Sequence, residues 1–105
     1  MSLGNGKLVR DRIPEIITET GGSPQVSTLS SSEYRIALHN KLIEETHELI
    51  AAVGDDQIEE LADILEVIIA IADDLGSDFA SVQLVAIAKR EKRGAFKSRI
   101  WLHTE

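Results

Sequence analysis

Residues 41–66, KLIEETHELIAAVGDDQIEELADILE, place nine carboxylates in 26 positions. Apolar residues recur through the stretch at helical spacing, and Gly54-Asp55-Asp56 interrupts it once. It reads as two helices joined by a short turn, which pack antiparallel. The acids then have two readings. They are solvent decoration on two separate helices, or they face each other and hold something cationic.

The same rules place the flanking elements. Ser30 and Glu33 have capping-box spacing and open the helix that carries Glu44, Glu45 and Glu48, over roughly 32–53. Asp56 with Glu59 resembles a second capping arrangement, for a helix over roughly 57–75 that Gly76 ends. Ser77 or Asp78 caps a further helix over roughly 78–92, closed by Gly94. Upstream, Pro14 suits the first position of a short helix that Gly21-Gly22 stops. The segment 23–32 is a loop, and AFKSRIWLHTE at 95–105 is an irregular or extended tail. No internal repeat is present, and the serine run at 30–32 is the sole trace of low complexity.

The chain has 105 residues, 43% of them apolar and only four aromatic: Tyr34, Phe79, Phe96 and Trp101. That length makes a single domain, 1–105, with residues 1–6 a leader or flexible N-terminus. A core of Leu, Ile, Val and Ala suits packed helices, and a chain this short buries a modest core, so partner subunits are expected. Without cysteine there is no disulfide framework and no thiol chemistry. No signal peptide and no apolar run of bilayer length is present, so a soluble cytoplasmic protein with no membrane partner is expected.

The net charge of −7 hides a segregation. Glu44 to Asp78 contains twelve Asp/Glu and no Lys or Arg, whereas Lys89 to Arg99 contains six Lys/Arg and one Glu. Lys7, Arg10 and Arg12 lie near the start. An acidic total argues against binding polymeric nucleic acid, which needs a broad positive surface.

At about 100° per residue, Lys41, Glu44, Glu45 and Glu48 share one face of their helix. Leu38, Leu42, Leu49, Ile50 and Val53 take the other. Alone, this is an ordinary amphipathic helix with a wet acidic side. The next helix differs. Its acids Glu59, Glu60, Asp63 and Glu66 form a narrow stripe among Ile58, Leu61, Ile64, Leu65, Val67, Ile68, Ile69 and Ile71. A helix apolar nearly all round is buried on most sides, and buried carboxylates need a partner. With no Lys or Arg in the segment, local ion pairing is not the expected remedy. Antiparallel packing sets Glu45 and Glu48 across from Glu60 and Asp63, a nest of hard oxygen ligands suited to Mg2+ or Mn2+.

These residues resemble the paired Glu-x-x-Glu and Glu-x-x-Asp motif of the MazG-like all-α nucleoside triphosphate pyrophosphohydrolases. Four ordered blocks carry the resemblance: KLVRDRIPEII at 7–17, KLIEETHEL at 41–49, EELADILEVI at 59–68 and KREKRGAF at 89–96. They resemble one small single-domain branch and span most of the chain. The resemblance implies an all-α antiparallel bundle completed by oligomerisation. It also implies Mg2+-dependent cleavage of a (deoxy)nucleoside triphosphate to monophosphate and pyrophosphate, in nucleotide house-cleaning. Glu45, Glu48, Glu60 and Asp63 are the metal ligands it implies, with Glu44 and Glu45 as catalytic groups at the attacking water. Lys41, Lys89, Lys92 and Arg93 are the phosphate-contact candidates, with Lys7, Arg10 and Arg12 behind them, although a surface lysine is commonly just solvated. Phe96 and Trp101, with Tyr34 and Phe79 behind them, are base-stacking candidates, although aromatics are more often core.

Three other readings stand beside this one. The phosphoribosyl-ATP pyrophosphohydrolase of histidine biosynthesis shares the fold and the chemistry. Glu44-Glu-Thr-His47 has the Glu-x-x-His spacing of helical di-iron sites, of which this chain carries one copy where two are needed. A non-enzymatic helical interaction module would use the acidic bundle and basic tail for docking. Finally, the apolar arc of the 57–75 helix exceeds what neighbours in one chain cover. A homodimer, or a tetramer of two dimers, is expected, with the uncovered flank around Ile64, Ile68 and Ile71.

Overall fold

Ser30 opens the longest helix as its spacing from Glu33 requires: its hydroxyl accepts from the Glu33 amide, and the Glu33 carboxylate accepts from the Ser30 amide. The computed structural model describes residues 4–104, so the leader reading for Met1-Ser2-Leu3 lies outside the described residues. Four helices and no strand occur among the described residues: α1 Ile13–Glu19, α2 Ser31–Ala51, α3 Asp56–Asp74 and α4 Phe79–Arg93. The chain is all-α, as expected. Pro14 sits in the first turn of α1, and Asp78 caps α4 by accepting from the Ser81 amide at 2.7 Å. Asp56 does not cap α3. It is already helical, and Asp55 at the cap position makes no side-chain cap bond because its own backbone is helical.

Gly54 turns the chain between α2 and α3 at φ +63°, a left-handed conformation that glycine adopts at little cost. The helices then run antiparallel. Arg35, near the start of α2, bonds Asp74 at the end of α3 at 2.9 Å, while Glu45 meets Glu60 and Asp63 at the other end. Ala37 and Leu38 of α2 and Val67 and Ala72 of α3 form the buried centre. Two alanines there let the backbones approach closely. α4 packs on α3, and from Ala80 onward every α4 residue is exposed.

This arrangement buries little. The accessible surface is 9106 Å², against about 5,800 Å² for a compact monomer of this mass. The radius of gyration is 17.5 Å, against about 13 Å for 105 compact residues.

Two expectations about helix faces need correction. Glu45 is not on a wet side: it is 6% exposed. By the 100° rule it falls only about 20° from Leu38, inside the arc that meets α3. Nor does the open flank of α3 lie around Ile64, Ile68 and Ile71. Ile64, Ile68 and Ile71 are half-buried, while Ile58, Leu61 and Leu65 are exposed. The first three share the side of Val67 that faces α2, so the open flank lies further round the helix.

Candidate metal centre

The α2–α3 hairpin brings the two acidic motifs together. Carboxylate oxygens of Glu45, Glu60 and Asp63 lie within 4.8 Å of one another, and a second such group joins Glu44, Glu45 and Glu48. Glu45 belongs to both. The four residues expected as metal ligands therefore form one connected cluster, with Glu44 at its edge.

The protein answers this charge only in part, and it does so across the chain. Lys41 Nζ lies 3.4 Å from Glu44 Oε2 and 3.4 Å from Glu45 Oε1. Arg10 Nη2 lies 2.6 Å from Asp63 Oδ1. The expectation that local ion pairing would not serve is corrected at Lys41, which lies just outside the 44–78 segment and pairs with Glu44 and Glu45 one turn on, whereas Arg10 reaches in from a distant segment. Two cations still face five carboxylates. Glu45 Oε2 and Glu60 Oε2 are buried and have no hydrogen-bond partner among the described residues. An orphaned carboxylate oxygen is costly to bury, and a cation or a proton is what satisfies it.

Protonation follows the same logic. Burial first, then hydrogen bonding and repulsion from Glu48, raise the Glu45 pKa against the opposing pull of Lys41. Glu60 is pushed up to about 7 by burial first, then by crowding against the carboxylates of Glu48, Glu45 and Asp63. For Lys41, burial pulls downward, but Glu44 and Glu45 outweigh it and its pKa rises. The cluster is short of positive charge. A donor set of carboxylate oxygens alone, within 4.8 Å of one another and partly orphaned, fits a hard divalent cation such as Mg2+ or Mn2+.

Two grooves flank the cluster. Glu45 and Asp63 open onto one of about 580 Å³, walled by residues 7–13 with Tyr34, Lys41 and Val67. That volume lies in the range of small-molecule sites, roughly 300–1,000 Å³. Lys7, Arg10, Arg12 and Lys41 line it together with the carboxylates of Asp11, Glu45, Asp63 and Glu66, so it is a groove of mixed charge. Glu48 and Glu60 open onto the other, of about 510 Å³, whose charged residues are all acidic.

The remaining candidates divide clearly. Lys89, Lys92 and Arg93 are exposed on the last turn and a half of α4 and line neither groove. Phe96 and Trp101 are 98% and 81% exposed and line neither. Tyr34 does line the mixed-charge groove, and burial together with Asp74, Asp11 and Asp73 raises its pKa, so the phenol stays protonated. His47 is exposed and belongs to neither carboxylate group. Glu66, placed in the acidic stripe by the sequence but not among its site candidates, lines the same groove one turn beyond Asp63. Its i, i+3 spacing from Asp63 was the available signal.

No family model matches the chain, and no solved structure matches it. Over 46 residues it is 56% identical to a protein of Mycolicibacterium smegmatis (strain ATCC 700084 / mc(2)155) described as uncharacterized. The match takes in 44% of this chain and 47% of that relative, so the chain spans about half the length of the relative it matches.

Proposed function

We propose that this chain is a divalent-metal-dependent nucleoside triphosphate pyrophosphohydrolase, releasing nucleoside monophosphate and pyrophosphate. The observation that carries the reading is the pair of buried, partnerless oxygens on Glu45 and Glu60, inside a cluster that also holds Glu48 and Asp63. The four cations in the mixed-charge groove beside it, Lys7, Arg10, Arg12 and Lys41, support an anionic substrate once a metal ion offsets the cluster's carboxylates, and the four sequence blocks at 7–17, 41–49, 59–68 and 89–96 support the reaction class.

In this reading Glu45, Glu48, Glu60 and Asp63 hold Mg2+ or Mn2+. When bound, the ion offsets phosphate charge and acidifies a water. Lys41, fixed by Glu44 and Glu45, stands at the junction of cluster and groove and takes phosphate charge. Arg10, Lys7 and Arg12 line the same groove and extend that positive wall. Glu44 is exposed at the cluster edge, within reach of solvent, and orients the attacking water. Tyr34 with Leu38 and Val67 offers the groove's apolar side to the nucleoside.

The reading includes a second copy of the chain. Roughly 3,300 Å² of surface beyond that of a compact monomer, the open row Ile58, Leu61 and Leu65, and the exposed α4 residues Val82, Leu84 and Val85 support a homodimer built on α3 and α4. Obligate interfaces bury about 2,000–5,000 Å² in total, or about 1,000–2,500 Å² from each partner, so the excess of one chain more than covers its share.

The test of the reaction is product identity across a panel of nucleoside triphosphates with Mg2+. Pyrophosphate and monophosphate are expected. Nucleoside diphosphate with orthophosphate, or no metal-dependent turnover on any nucleotide, refutes the reading.

A further inference from the structure

The two cations held against the cluster are not equivalent. Lys41 belongs to α2, its side chain is 20% exposed, and its ammonium is shared between Glu44 and Glu45. Arg10 arrives from a segment 53 residues away from Asp63 in sequence, and its side chain is 59% exposed. Residues 7–10 belong to no helix, yet they wall the mixed-charge groove as a strap, with only Leu8 half-buried. An exposed ion pair of this kind is weakly held and readily exchanged. Its carboxylate partner, Asp63, is also one of the three groups whose oxygens lie within 4.8 Å of one another.

We propose that Arg10 is a displaceable counter-ion, standing where a divalent cation takes charge and moving to a phosphate when it does. This rests on the cluster binding a divalent cation. A cation bound by Glu45, Glu60 and Asp63 supplies Asp63 with a stronger partner and repels the guanidinium. Arg10 then loses its Asp63 partner, and it already lies in the groove that carries Lys7, Arg12 and Lys41. Its planar fork matches a phosphate oxygen pair as well as it matches a carboxylate. The exchange makes phosphate binding conditional on the metal: before loading, Asp63 occupies the arginine; after loading, the arginine is free for the anion. Arg10 is a positioning residue for the phosphate chain in this scheme, and Lys41 is the fixed one.

The test uses Arg10→Gln in the full chain, with two readouts independent of turnover. Mn2+ affinity is measured by electron paramagnetic resonance of the free ion. Pyrophosphate affinity is measured by calorimetry at saturating Mn2+. Removing the competitor makes Arg10→Gln bind Mn2+ several-fold more tightly than the wild type. Losing the fork weakens pyrophosphate binding roughly tenfold, the scale of one charge-assisted hydrogen bond. Arg10→Lys keeps the charge without the fork, so Mn2+ affinity stays near the wild-type value while pyrophosphate binding weakens. Opposite signs for the two ligands separate this role from a structural one, because a loosened fold weakens both. Mn2+ binding that Glu60→Gln abolishes and Arg10→Gln leaves unchanged overturns the exchange and keeps the metal centre. Wild-type protein that binds no Mn2+ overturns both.

Discussion

Glu45 on α2 faces Glu60 on α3, and each buries one carboxylate oxygen that no group among the described residues meets. The consequence is a pH dependence of unusual sign for a carboxylate. With its pKa pushed up to about 7, Glu60 in the folded chain keeps a proton that the unfolded chain releases near the ordinary glutamate value of 4.5. Between those two values unfolding releases a proton, so stability falls as pH rises. Glu45 is shifted in the same direction. Glu33 and Asp78 are lowered by their capping bonds and titrate below this window, so they leave the slope alone. Chelator-treated protein is expected to melt at a lower temperature at pH 8 than at pH 5.5. Glu60→Gln flattens the difference, and added Mg2+ stabilises more at pH 8. Scanning calorimetry at the two pH values checks this; a wild-type melting temperature that climbs with pH refutes it.

Single amide substitutions test the ligand set. Glu45→Gln, Glu48→Gln, Glu60→Gln and Asp63→Asn are each expected to lower metal-dependent pyrophosphate release by at least about 100-fold, the upper range even for groups that only support a ligand. Helical content by circular dichroism stays unchanged. Glu60→Gln removes a charge that nothing in the chain offsets, so its metal-free form melts no lower than the wild type. Near-normal turnover in Glu48→Gln or Asp63→Asn would break the assignment.

Capping predicts a stability change remote from the site. Ser30→Ala removes the bond to the Glu33 amide and leaves the reciprocal Glu33 bond without its counterpart. The expected loss is about 1 kcal/mol, read as a lower urea midpoint with an unchanged slope. Mn2+ affinity does not move, since Ser30 lies on the far end of α2 from Glu45 and Glu48.

Assembly is tested on the open flank of α3. Light scattering at micromolar concentration is expected to give at least twice the 11.5 kDa chain mass. Leu61→Asp and Leu65→Asp put charge into that contact and produce monomers with reduced helicity. A folded, active monomer of the unaltered chain refutes the shared bundle.

Helix ends were legible in the sequence because they depend on local chemistry. Ser30 with Glu33, Pro14, Asp78, Gly54 and Gly94 each act within one turn of where they stand, and the structure uses all of them. Asp56 misled because its spacing from Glu59 is right while the residue before it has already entered the helix. The four clustered carboxylates were legible once the Gly54 turn made α2 and α3 antiparallel. The depth of Glu45 was legible too, since about 20° separates it from Leu38, but a 100° arc is too wide to serve as one face. What no local rule reaches is the docking of a distant segment. Arg10 finds Asp63, and Tyr34 finds the groove, only after the N-terminal segment folds back over the hairpin.

The Gly54 turn also sets the order of assembly. Glu48 and Glu60 are twelve residues apart, and closing so short a loop costs little chain entropy. Arg10 and Asp63 are 53 apart, a longer closure for a single exposed contact. The hairpin therefore forms on the timescale of local helix pairing and carries its carboxylates together early. Refolding followed by amide exchange is expected to protect α2 and α3 first, with the N-terminal segment docking in a later step onto a nest of acids already in place.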